Sequence, residues 1–144
     1  MTNEEKQLLL KDLCSRLPYG VKVSLNTDGN QNIGTLDALY PNDECSIIVD
    51  NLEKPISFCL GYGTINYGRF SLEESNFKPY LRPMSSMTEE ELEEIGDVMF
   101  NFINRETYYT DKQIDWLNAH HFDYRGLIEK GLALEASEGM YKTE

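Results

Sequence analysis

The sequence predicts an α+β fold: a small antiparallel SH3-like β-barrel or meander, over about 19–83, set between an N-terminal helix and a C-terminal helical region. Three observations carry this reading. Apolar residues recur at helical spacing near the start, alternate with polar ones through the middle, and return to helical spacing after residue 88. Turn residues divide the middle into short runs with no helical stretch between them, which favours antiparallel pairing over βαβ units. Thr2 with Glu5, Thr88 with Glu91, and Thr110 with Gln113 each have capping-box spacing, in which the Thr oxygen and the Glu or Gln side chain satisfy each other's free amides.

Residues 2–17 form the first expected helix, with Leu9, Leu10, Leu13, Cys14 and Leu17 as its apolar stripe. Pro18 stops it, having no amide hydrogen and disfavouring helical dihedrals in the residue before it. Val21, Val23 and Leu25 then alternate with Lys22 and Ser24, and Asp28-Gly29 supplies the turn. Ile33 to Tyr40, Ile47 to Val49, Ile56 to Leu60 and Phe77 to Leu81 are the further strands, with Pro41-Asn42-Asp43 and Asp50-Asn51 as breaks. A curled sheet of this size hides its edges.

The region 88–134 reads as helices. Leu92, Ile95, Met99, Phe102 and Ile103 share one face of a helix over 88–104, which Gly96 weakens. A short helix follows Thr110, with Ile114 and Leu117 inward. Asp123 is placed to cap Tyr124–Lys130, which ends at Gly131 with Leu127 and Leu132 spaced for a Schellman contact. Residues 137–144 read as a frayed tail. The apolar faces of 2–17 and 88–104 need the β region to pack on, so residues 1–144 read as one integrated domain.

The formal charge is −12, and 84–144 alone hold 14 acids against five bases. That disfavours direct nucleic-acid binding, which rests on Lys and Arg displacing counterions, and disfavours anionic membrane surfaces too. No apolar run has the length of a membrane span, and the acidic, polar opening is unlike a secretory leader. Three cysteines, Cys14, Cys45 and Cys59, without ligand-like spacing, read as reduced, mostly buried thiols of a cytoplasmic protein.

Three stretches carry a resemblance. Lys78-Pro79-Tyr80-Leu81-Arg82-Pro83-Met84-Ser85-Ser86-Met87-Thr88-Glu89-Glu90-Glu91 resembles a segment found across a family of uncharacterised proteins from gut anaerobes and their phages. Asp115-Trp116-Leu117-Asn118 through His121-Phe122-Asp123-Tyr124-Arg125-Gly126-Leu127-Ile128 is similar to that family's C-terminal signature, and Leu10 to Val23 is similar to its opening. The resemblance implies no activity, cofactor or catalytic residue.

The chemistry-bearing residues form no strong constellation. Adjacent His120 and His121 would point about 100° apart on a helix and cannot easily share one ion. Gly61-Tyr62-Gly63 lacks the spacing of a phosphate loop. Cys59 falls in an apolar run where a thiol is inert, and Glu89–Glu94 reads as a solvated helix face. Accordingly the sequence assigns no catalytic residue, metal site or cofactor. The tyrosines are the better lead, since exposed rings give contact area at low entropic cost; Tyr62 and Tyr67, with Tyr40 and Tyr80, are the expected partner-binding residues. The expected function is a non-enzymatic protein-interaction module of unknown partner. The alternatives are an enzyme with a site assembled from His121, Asp123 or Cys59, and an acidic nucleic-acid mimic that occupies a basic partner.

Overall fold

The computed structural model describes residues 2–27, 30–39, 44–49, 59–62, 65–71, 77–101 and 103–141. Helix α1 (Asn3–Arg16) opens on Thr2 with the expected capping box and passes through a single 3-10 turn to Gly20, whose φ of 68° lies in the left-handed region. Strands β1 (Lys22–Thr27), β2 (Asn30–Leu39), β3 (Glu44–Val49), β4 (Cys59–Tyr62), β5 (Ile65–Ser71) and β6 (Lys78–Leu81) follow. Beyond them come α2 (Glu89–Ile95), β7 (Met99–Asn101), β8 (Glu106–Tyr108), α3 (Asp111–Ala119) and β9 (Leu134–Glu135).

Seven strands make one sheet in the order β4-β5-β3-β2-β1-β6-β9, and β7 and β8 pair separately. All pairings in the large sheet are antiparallel except that of β6 with β9. The sheet is open and mixed, not a closed barrel, so the SH3-like expectation gives way to an open sheet in which only β1, β2 and β3 run as a meander, β5 pairs with β3 ahead of β4, and β6 returns to β1. Covering replaces closure: Leu9 and Leu13 of α1 pack with Val21, Val23, Leu36, Phe77, Leu81 and Leu127 in the main core. A second cluster gathers Ile95, Leu117 and Phe122 with Trp116, Tyr109 and Tyr124 around it. The expected turn residues Asp28-Gly29, Pro41-Asn42-Asp43 and Asp50-Asn51 lie outside the described residues, as do Tyr40 and Phe102.

Three expected elements are corrected. The helix over 88–104 ends at Ile95, because Gly96 adopts φ 79° and ψ −168°, a conformation open essentially to glycine alone. Met99 then joins β7, and Ile103 is 97% exposed. The stretch 124–130 is a series of turns, not an α-helix. Its ends behave as expected: the Asp123 carboxylate accepts from the Leu127 and Ile128 amides at 2.8 and 2.9 Å, and Leu132 N–H donates to Leu127 O while Gly131 N–H donates to Ile128 O. The pattern of that last pair is the Schellman one. Finally, the expected tail from Ser137 is held as far as Tyr141, whose side chain is fastened to β1 and β6.

Candidate functional site

Charged residues that the apolar stripe of α1 conceals build the centre of the site. Asp12 and Arg16 are wholly buried, one turn apart, and joined by two hydrogen bonds at 2.8 and 3.1 Å. They occupy the i+3 and i+7 positions relative to Leu9, on the same buried face. Arg16 Nη2 also donates to the Phe122 carbonyl at 2.6 Å. A second guanidinium, that of Arg125, shares Asp12 at 2.8 Å and reaches Ser15 Oγ at 3.1 Å. The ring of Tyr124 lies 5.4 Å from Arg16 Cζ and 4.6 Å from Arg125 Cζ. A third cation, Arg82, covers the Phe122 ring at 4.1 Å and forms a fork-to-fork pair with Glu91 at 2.7 and 2.8 Å. That pairing holds the Glu91 carboxyl down at about 2.

The end of α3 places the histidines. Phe122 N–H donates to Leu117 O and His121 N–H to Asn118 O, another Schellman ending, with His121 in the left-handed position at φ 62°. Its neighbour His120 stacks on Trp116 at 3.9 Å, and its Nδ1 lies 2.8 Å from the Trp116 carbonyl. His121 turns inward and stacks against Tyr141 at 3.8 Å, 19° from parallel. Burial, reinforced by the charges of Arg16, His120 and Arg82, lowers the His121 pKa to about 4, so at neutral pH the ring is uncharged.

Tyr141 closes the arrangement. Its hydroxyl accepts from Lys22 N at 2.8 Å and donates to Tyr80 O at 2.6 Å. The β1–β6 ladder pairs Val23 with Pro79 and Ser24 with Lys78, so the next rung would set Lys22 against Tyr80. The phenol is inserted at that rung and joins the two strands where they part. Burial pushes its own pKa upward. On its outer side Tyr141 is one wall of a cleft of about 540 Å³, whose other walls include Arg82, Ser86, Thr88, Ser137 and Glu138.

Of the residues expected to bind a partner, Tyr62 and Tyr67 stand on neighbouring strands and Tyr80 stands apart from them in the strand order. Tyr62 stands on β4 and Tyr67 on β5, in the register Tyr62 to Ile65 and Leu60 to Tyr67. Tyr80, on β6, is half-buried and separated from β4 by β5, β3, β2 and β1. Tyr40 lies outside the described residues. No group of three or more His, Cys, Asp and Glu suited to a metal occurs among the described residues. Asp123 is committed to two backbone amides, Cys14 is exposed on α1 rather than part of its buried stripe, and Cys59 lies on β4. No helix among the described residues is long and apolar enough to cross a membrane.

A different stretch of the chain stands out. Of the six large apolar side chains exposed among the described residues, four (Leu92, Val98, Ile103 and Tyr108) fall between α2 and the end of β8. Gln113 of α3 anchors this region from beneath by donating to the Ile95 and Asp97 carbonyls at 3.2 and 2.7 Å. The same stretch exposes the acids Glu89, Glu90, Glu93, Glu94, Asp97 and Glu106.

Comparison of the chain with protein-family models, curated proteins and solved structures finds no match. The functional reading therefore rests on the residues themselves.

Proposed function

We propose that this protein is a non-enzymatic interaction module that docks a partner on the surface formed by α2 and the β7–β8 hairpin. The observation that carries the reading is the concentration of exposed Leu92, Val98, Ile103 and Tyr108 in one short stretch. Apolar side chains of this size kept in water favour association, and an apolar centre within a charged rim is the usual anatomy of an interface. The acids supply the rim, which fits a partner whose binding segment is basic and apolar; opposite charge speeds encounter and fixes orientation. The Tyr108 hydroxyl, held by Asn104 and Glu106, fixes its exposed ring without burying it.

The reading is tested by affinity capture with the intact chain and with the double variant L92S/I103S, alongside thermal unfolding of both. A stoichiometric partner retained by the parent, lost about tenfold or more by the variant, and released as salt rises supports it. A variant that unfolds like the parent and still captures the same partner equally overturns the placement. A partner indifferent to salt overturns the basic-segment component.

A further inference from the structure

We propose that Arg16 and His121 together form a buried binding site for a small oxyanion, a carboxylate or a phosphate, entered from the cleft past Tyr141. The first support is a pair of buried nitrogens without hydrogen-bond partners among the described residues. Arg16 is wholly buried and His121 is 6% exposed, yet Arg16 Nη1 and His121 Nδ1 have no hydrogen-bond partner among the described residues. Native proteins rarely leave such atoms unmade, because each forfeits its hydration without return. These two are the only buried side-chain atoms in that condition among the described residues.

They also belong to one neighbourhood. Arg16 Nη2 holds the carbonyl of Phe122, the residue next to His121. The Arg16 charge acts on both His121 and Tyr141. A guanidinium N–H has no acceptor capacity, and an imidazole in the Nδ1–H tautomer donates there, so the shared complement is an oxygen acceptor bearing negative charge. The local charges agree. Asp12 is divided between Arg16 and Arg125, Glu91 is taken by Arg82, and both Asp123 oxygens accept backbone amides. Arg16 thus shares its carboxylate with Arg125 and keeps one unpartnered nitrogen, Nη1.

The backbone gives a third, independent reason. His121 occupies the left-handed position of its helix ending, which glycine fills in the turn that follows at Gly131. A non-glycine residue there carries a conformational cost, and that position fixes the backbone from which the His121 ring projects. Tyr141 is the link to the cleft: its ring stacks on His121 and it forms one wall of the cleft, which neither Arg16 nor His121 itself lines.

The test is the titration of the His121 ring by NMR in chloride, formate and phosphate at matched ionic strength, paired with thermal unfolding in the same anions. With the site present, His121 starts near 4 in chloride, and its pKa and the Tm both rise with formate, phosphate or both. A response to one alone names the ligand. Substitution H121F keeps an aromatic ring against Tyr141 and weakens the anion response about tenfold or more. Substitution H121N keeps a donor and a residue that accepts the left-handed backbone, and it retains part of the response. A His121 pKa and a Tm indifferent to both anions, as when a single water bridges the two donors, overturn the proposal. So does an H121F variant that responds like the parent.

Discussion

Asp12 and Arg16 sit one turn apart on α1 with both side chains sealed from solvent, and the carboxylate of Asp12 also serves Arg125. Removing one member of a buried pair leaves the other charge uncompensated. The D12A variant should therefore lose about 3–5 kcal/mol of stability in urea unfolding. The D12L/R16M double variant should recover more than half of that loss, because it removes both charges and keeps apolar volume. Arg125, partly exposed, retains Ser15 and the Tyr124 ring in either variant.

That pair also shows where the sequence is informative and where it is not. Period and capping reveal α1, the start of α2 and α3, because a Thr oxygen and a Glu or Gln three residues on act locally and need no tertiary partner. The two charges within the stripe of α1 are visible at Leu9 plus three and plus seven. What they meet, Phe122 and Arg125, lies more than a hundred residues away, and no local pattern encodes it. The parallel β6–β9 pairing is hidden for the same reason, since β9 spans only Leu134–Glu135. Tyr141 escapes notice because its burial comes from contacts with Lys22, Tyr80 and His121, none of which is near it in the chain.

Substitution Y141F is the sharpest probe of the inserted rung. The ring and its stack on His121 survive, while Lys22 N–H and Tyr80 C=O lose their shared partner. The cost should be about 1–3 kcal/mol, the desolvation of backbone groups left unpaired. Hydrogen exchange should locate it, with the Lys22 amide losing protection before the amides of Val23 and Ser24. A Y141F variant as stable as the parent, with Lys22 still protected, would show that the strands close the rung themselves.

Stability should fall with acid in two steps that separate by mutation. His121 resists protonation in the folded chain until about pH 4, whereas its ordinary pKa is 6.5. The unfolded chain therefore binds the extra proton first, and stability declines as pH drops from 6.5 to 4, by on the order of 2 kcal/mol. Glu91 acts lower: its stabilising pair with Arg82 is fully present above 4.5 and is lost as pH falls from there to about 2. This half-covered pair contributes about 1 kcal/mol. Unfolding followed across pH should lose its upper limb in H121F and its lower limb in E91Q.

Gly96 gives a prediction whose sign opposes helix propensity. Were α2 continuous through residue 104, alanine at this position would stabilise the chain by about 1 kcal/mol. The observed φ of 79° and ψ of −168° reverse the expectation. Nothing stands within 4 Å of the place a Cβ would occupy, so no clash contributes and the effect is purely that of the backbone. G96A should destabilise by about 1–3 kcal/mol, because an L-residue must be held in a region it rarely visits. The loss should reach the interface as well. Gly96 lies between Ile95 and Asp97, whose carbonyls bind Gln113, so a backbone that relaxes toward helix there draws the β7–β8 hairpin off its anchor on α3. Calorimetry of G96A, together with capture of the partner that L92S/I103S loses, measures both effects: the backbone alone predicts a lower Tm with capture intact, and displacement of the hairpin predicts that both are reduced.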